Sequence, residues 1–113
     1  MNRVFIPQEP QKWDSATSTS YPLYDFTPAL RYGALEVCLA PNASFLMIAP
    51  VTAALKERMR SFTDDDYLVA VGSPVMIALS AAIASERTGG KFNLLSYDKR
   101  MNEYLNTRIE ITK

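Results

Sequence analysis

Five consecutive apolar residues, Tyr67-Leu68-Val69-Ala70-Val71, run directly into Gly72-Ser73-Pro74. So short an apolar run, without polar alternation, fits a strand covered on both faces, the condition of central strands in a parallel sheet. Glycine permits a tight turn, serine supplies an N-cap and proline is tolerated in a first helical turn, so the three residues together start a helix. That helix is expected from Val75 to about Arg87, buried on nearly all sides by its Ala, Ile, Leu and Met content and stopped by Gly89-Gly90. A buried strand that hands over to a buried helix points to the α/β class.

The flanking segments extend that unit in both directions. Residues 34–40 alternate Leu35, Val37 and Leu39 against Glu36, Cys38 and Ala40, the period of a strand, and Pro41-Asn42-Ala43-Ser44 ends it. From near Pro50, residues Val51, Ala54, Leu55, Met59 and Phe62 fall on one side of a helix whose other side carries Lys56, Glu57, Arg58 and Arg60. The acidic turn Thr63-Asp64-Asp65-Asp66 joins this helix to the apolar strand. Residues 91–97 and 104–111 read as two more strands, joined as a hairpin by the polar stretch 98–103. The expected fold is therefore α/β: a small β-α-β-α-β-β sheet, mostly parallel with a C-terminal antiparallel hairpin, plus an irregular N-terminal arm. Right-handed crossovers make sequence order the simplest strand order, with both helices on one face. The opposite face is then bare unless the arm or a second subunit lies on it.

Residues 1–33 are expected to form that arm and residues 34–113 the α/β domain. Four of the seven prolines, the single Trp13 and a Ser/Thr-rich stretch at 15–20 fall in the arm, so regular structure is sparse there. Val4, Phe5, Ile6, Tyr21, Leu23, Tyr24, Phe26 and Leu30 are nonetheless too apolar for a solvated tail, so the arm packs either on the domain or on a partner. Val4-Phe5-Ile6 can add a short edge strand, and Thr27-Pro28-Ala29-Leu30 can form one helical turn. Trp13, Tyr21 and Tyr24, in a segment that also carries Lys12 and Arg31, are the candidate partner-binding aromatics. Asp64, Asp65 and Asp66 are a candidate acidic contact for a basic partner, in a turn otherwise expected to be solvated.

Composition removes several classes of chemistry. The chain has no histidine and one cysteine, Cys38, which excludes histidine triads, imidazole bases, an intrachain disulfide and a structural zinc site within one monomer. Cys38 sits mid-strand and reads as a packed thiol rather than a nucleophile. Twelve basic and twelve acidic residues leave no net field for nucleic acid, and the arm is itself charge-balanced. No apolar stretch reaches the ~20 residues that span a bilayer, so no membrane insertion is expected. The first residues lack the apolar core of a secretory signal, and the single thiol suits a reducing compartment, so the cytoplasm is expected. Neither G-x-G-x-x-G nor G-x-x-x-x-G-K-[ST] occurs and the aspartates lack EF-hand spacing, so no cofactor or metal is expected.

Topology locates one candidate ligand site. Parallel strands end along a shared edge, where ligands commonly bind near helix N-termini. Asn42 after the first strand, Gly72 and Ser73 after the second, and Lys99 and Arg100 after the third are expected to meet there. Helix N–H groups, the Ser73 hydroxyl and the two cations can together hold a phosphate or carboxylate. The plainer alternative is that Ser73 only caps its helix and the cations solvate a turn.

The motifs Val4-Phe5-Ile6-Pro7-Gln8-Glu9-Pro10, Tyr24-Asp25-Phe26-Thr27-Pro28-Ala29, Phe62-Thr63-Asp64-Asp65-Asp66-Tyr67-Leu68-Val69-Ala70-Val71-Gly72, and Gly89-Gly90 with Leu94-Leu95-Ser96-Tyr97-Asp98-Lys99-Arg100 cover much of the chain. Together they resemble small uncharacterised proteins encoded by tailed bacteriophages. The resemblance implies an infected bacterial cytoplasm, carries no established activity and transfers no functional residue. With catalytic sets absent as well, the expectation is a non-enzymatic protein-protein interaction module, a phage accessory protein that binds a host or phage protein, with a homo-oligomer left open. The alternative is a small-ligand or nucleotide-binding α/β domain that uses the strand carboxyl edge.

Overall fold

In the computed structural model, which describes residues 2–41, 43–44 and 46–111, the apolar run Val4-Phe5-Ile6 lies inside the sheet rather than at its edge. Strand β1 (Arg3–Gln8) is flanked by β4 (Ala34–Leu39) on one side and β5 (Tyr67–Val69) on the other, both parallel to it. Strand β6 (Lys91–Asp98) continues the sheet in parallel and β7 (Glu103–Glu110) closes it antiparallel, giving the order β4-β1-β5-β6-β7. The mostly parallel sheet and C-terminal hairpin are as expected, whereas the strand order is not sequential. Proline normally argues against a central strand because it removes a ladder donor. Here the β1–β5 ladder involves only Val4 and Phe5, opposite Tyr67 and Leu68, so Pro7 falls beyond it. Burial then decides the position: Val4, Phe5 and Ile6 are wholly buried, with Phe5 on one face and Val4 and Ile6 on the other. Each such side chain contributes on the order of 2 kcal/mol.

Helices α1 (Ile48–Arg58) and α2 (Pro74–Thr88) both cover the Phe5 face, together with Leu68 and Phe92. Helix α1 starts two residues before Pro50 and buries Val51 and Leu55, followed by Met59 and Phe62; Ala54, expected inward, is exposed. Helix α2 is capped by the Ser73 hydroxyl, which accepts from Met76 N–H at 3.3 Å. It ends at Gly89 in the left-handed region (φ 68°), where a side chain would be strained. Only Met76, Ser80, Ile83 and Ala84 are buried, and Val75 is exposed. The expected all-round burial fails because α2 lies on one face of an open sheet with no further layer outside it.

The other face is covered by the chain itself. A 3-10 turn, Thr27–Arg31, presses Ala29 and the preceding Phe26 against Val4, Ile6, Val69, Leu95 and Tyr104, and the Tyr32 hydroxyl donates to the Tyr104 carbonyl at 2.6 Å. The β1-to-β4 link moves one way along the sheet on this face, while α1 and α2 carry the chain the other way on the opposite face. All three crossovers therefore share one hand, as the strong preference for right-handed connections requires. Residues 3–8, expected in the arm, are part of the sheet, and only the stretch 9–33 lies outside it. Within that stretch the structure is partly regular, because β2 (Gln11–Asp14) and β3 (Thr19–Pro22) form a separate antiparallel hairpin.

Two local readings change with the observed packing. In β4, Cys38 is buried beneath the helices while Val37, expected inward, is 39% exposed, because the arm covers that side of the edge strand incompletely. In the acidic turn, Asp66 is buried rather than solvated. Its carboxylate accepts from the Arg3 N–H (3.0 Å), the Thr63 N–H (2.9 Å) and the Thr63 hydroxyl (3.2 Å), and pairs with the Arg3 guanidinium at 3.4 Å. It clamps the start of β1 to the turn entering β5. Asp64 pairs with Arg108 at 3.6 Å, and Asp64 and Asp65 are the exposed members. Among the described residues no helix is long and apolar enough to cross a membrane.

Removing one partner from a buried charged network leaves the others unpaired, so Asp66→Ala is expected to cost about 3 kcal/mol in urea unfolding. Asp65→Ala should stay within roughly 0.5 kcal/mol of the parent, as surface substitutions do. Equal effects at the two positions would show that Asp66 clamps nothing.

Candidate functional site

Because β4, β1, β5 and β6 run in parallel, the segments leaving their carboxyl ends emerge along one edge. The segment after β4 is held there by the Gln8 side-chain amide, which donates to the carbonyls of Ala40 (2.8 Å), Ala43 (2.8 Å) and Pro41 (3.2 Å). The base of the β2–β3 hairpin is closed by a bond from Leu23 N–H to the Pro10 carbonyl at 2.8 Å. A hollow of about 270 Å³ lies between these segments, lined by Gln8, Glu9, Tyr24, Pro41, Gly72 and Ser73 among others. A second, of about 490 Å³, is lined by Leu23, Tyr24, Asp25, Tyr97, Lys99 and Tyr104.

The structure thus brings Gly72 and Ser73 to the segment after β4, as topology implies, while Asn42 lies outside the described residues. Lys99 sits in the other hollow among tyrosines, and Arg100 is on the exposed turn of the β6–β7 hairpin, its N–H donating to Asp98 at 3.0 Å. Tyr24 lines both hollows, so the residues expected to hold one anion are divided between two places. Gly72 adopts φ 103°, a conformation that glycine accepts readily. The Ser73 hydroxyl is engaged by Met76, Pro74 has no N–H to donate, and Glu9 adds negative charge to the Ser73 hollow. Capping accounts for every polar contact Ser73 makes.

Electrostatics at this edge is that of packed aromatics. Tyr97 and Tyr104 rings lie 5.2 Å apart, and Phe26 stacks on Tyr104 at 6.3 Å. Burial, with Tyr97, Asp25 and Tyr24 adding to it, pushes the Tyr104 phenol up to about 12. The Thr27 hydroxyl and main-chain N–H hold the Asp25 carboxyl below its ordinary value. Burial pushes the Cys38 thiol up to about 12, away from nucleophilic use. Among the described residues no group of three Cys, Asp or Glu is arranged to hold a metal ion.

What the edge does collect is exposed apolar surface. Trp13 (63%) and Tyr21 stand on the hairpin, and Leu23 and Tyr24 on the strand of chain returning from it. Leu46 (80%), Met47 and Ile48 lead into α1, Val75 opens α2, and Tyr97 and Met101 flank the β6–β7 turn. Among the described residues, Ile111 and Leu30, in the turn entering β4, are exposed large apolar residues toward the opposite edge. The Leu46-Met47-Ile48 step was not singled out from sequence. Its signal was an apolar run that fits neither the strand before it nor the apolar stripe of α1.

The model of a protein family described as Phage Pam3 gp32-like protein matches residues 2–111. No curated protein and no solved structure matches the chain.

Cys38 and Tyr104 both hold their protons more tightly folded than unfolded, so unfolding releases protons once the pH passes the lower, unfolded values of 9.0 and 10.0. The stability they contribute is complete below pH 9 and is expected to fall as pH rises toward about 12. Urea midpoints measured across that range should fall less steeply in Cys38→Ala than in the parent. Identical slopes would mean that the thiol is not buried as described.

Proposed function

We propose that this chain, which belongs to the Phage Pam3 gp32-like protein family, is a non-enzymatic interaction module that binds a host or phage protein in the host cytoplasm through the carboxyl edge of its sheet. The observation that carries this reading is the gathering of exposed large apolar side chains on segments that leave that one edge. Exposed apolar surface concentrated on one side marks binding surfaces on soluble domains.

The β2–β3 hairpin is one exposed part of it. Its register places Lys12 opposite Tyr21 and Trp13 opposite Ser20, so the pleat turns Tyr21 to one face and Trp13 to the other. No residue of β2 or β3 is buried. A two-stranded ribbon with both faces in water is marginal by itself. Covering either aromatic with a partner would stabilise the ribbon and bury a large rigid side chain at low entropic cost. Lys12 and Asp14 balance on the ribbon, which favours a protein surface over a nucleic-acid backbone.

A photo-crosslinking phenylalanine analogue at Trp13 or at Met47 is expected to trap the same discrete protein in infected cells, whereas the analogue at Asp65, on the opposite edge, should trap none. Trp13→Ala should weaken capture of that protein about tenfold or more, the scale of an interfacial hot spot. No discrete adduct, or equal labelling at Asp65, would overturn the reading.

A further inference from the structure

The two edges of the sheet are treated differently. At the β4 edge, the Arg58 guanidinium donates to the carbonyls of Cys38 (3.3 Å) and Val37 (3.4 Å), so part of that strand's main chain is engaged by a side chain. At the β7 edge, among the described residues, no side chain and no segment other than β6 hydrogen-bonds the main chain of residues 105–110. The Tyr32 hydroxyl reaches the main chain at Tyr104, and other elements meet this strand through side chains, Arg31 at Glu103 and Asp64 at Arg108. An open strand edge is a template for another strand, and proteins usually block one that is not used.

We propose that β7 pairs antiparallel with β7 of a second copy, across a two-fold axis through Thr107, joining the two five-stranded sheets edge to edge. Identical strands in one sheet can pair antiparallel only about an axis normal to the sheet, which keeps both helical layers on one side and sets residues of like parity opposite each other. Ile109 and Thr107 lie opposite Phe92 and Leu94, which belong to the helix-side core, so Leu105, Thr107 and Ile109 share that face. With Thr107 on the axis, Thr107 meets itself and Leu105 meets Ile109 of the second copy, once on each side. On the other face Asn106 meets Arg108 of the second copy. Thr–Thr and apolar pairs of these kinds stabilise cross-strand contacts, while Arg108 keeps its own ion pairs with Asp64 and Glu110. Moving the axis to Arg108 sets two guanidiniums against each other, and moving it to Asn106 sets Glu103 against Ile109. The strand is therefore complementary to itself in one register, and the pairing covers Leu105, which is 47% exposed.

This surface is separate from the carboxyl edge, so the dimer stands or falls independently of the partner proposed above. Sedimentation equilibrium of the full chain, from micromolar to sub-millimolar concentration, is expected to show twice the 12.6 kDa chain mass. Thr107→Lys, a substitution at an exposed position, should remove the dimer and leave the circular dichroism unchanged. Under oxidising conditions Thr107→Cys should form a covalent dimer, because residues directly opposite have Cβ atoms about 4.5–5.5 Å apart. Met101→Cys, in the hairpin turn, should not. A chain that stays monomeric, a dimer that survives Thr107→Lys in a folded protein, or cross-linking at position 101 equal to that at 107 would overturn the proposal. Should Thr107→Lys unfold, the comparison of the two cysteine variants decides it.

Discussion

The architecture depends on one strand taking a place between two others that follow it far along the chain. β1 separates β4 from β5 and runs parallel to both, and with β6 parallel to β5 four strands share one direction. Its ends are tied by side chains from other elements. Asp66 holds the Arg3 main chain at the start, and Gln8 grips the segment after β4 at the finish. Because the four strands point the same way, their outgoing segments are forced to one edge, and the exposed apolar residues follow from that geometry.

The same placement determines how both faces are covered. From a central β1, the chain must reach the outer β4 by crossing one face, and it does so with the segment that contains Phe26, Ala29 and Tyr32. Helices α1 and α2 then return over the other face. The arm is thus a covering layer that also builds the tyrosine-rich hollow, since Tyr24 and Asp25 belong to it and Tyr97 and Tyr104 to the β6–β7 hairpin. Burial of Cys38 and Tyr104 removes their ionisable groups from ordinary titration.

The parts of this fold that were legible in sequence are those with a local cause. Gly72, Ser73 and Pro74 each start a helix through their own geometry, and the cap, the helix and its glycine stop stand where they were expected. The position of β1 has no such cause. Pro7 disfavours a central strand, and the reason it is tolerated lies in a ladder with Tyr67 and Leu68, some sixty residues away. Asp66 looked solvated because Arg3 meets it only once β1 is in place, although its bonds to Thr63 are local. Shared edges could be read from the strand pattern, but distances along the edge are set by strand order. With β1 inserted, the segment after β4 is two strand spacings, roughly 10 Å, from that after β5. That Gly72 and Ser73 line a hollow with the segment after β4 while Lys99 lies in another could not be read from the pattern alone. The β2–β3 ribbon was hidden by its Ser/Thr-rich turn, whose composition reads as irregular chain.

Native-state amide hydrogen exchange tests the central placement of β1 most directly, because protection in a central strand requires global opening. The hydrogen-bonded amides of β1 are predicted to exchange as slowly as those of β5 and β6, while amides of the β2–β3 ribbon exchange close to unfolded rates. If β1 amides exchanged as fast as the ribbon while β5 and β6 stayed protected, β1 would be a detachable arm and the convergence of strand ends would lose its basis.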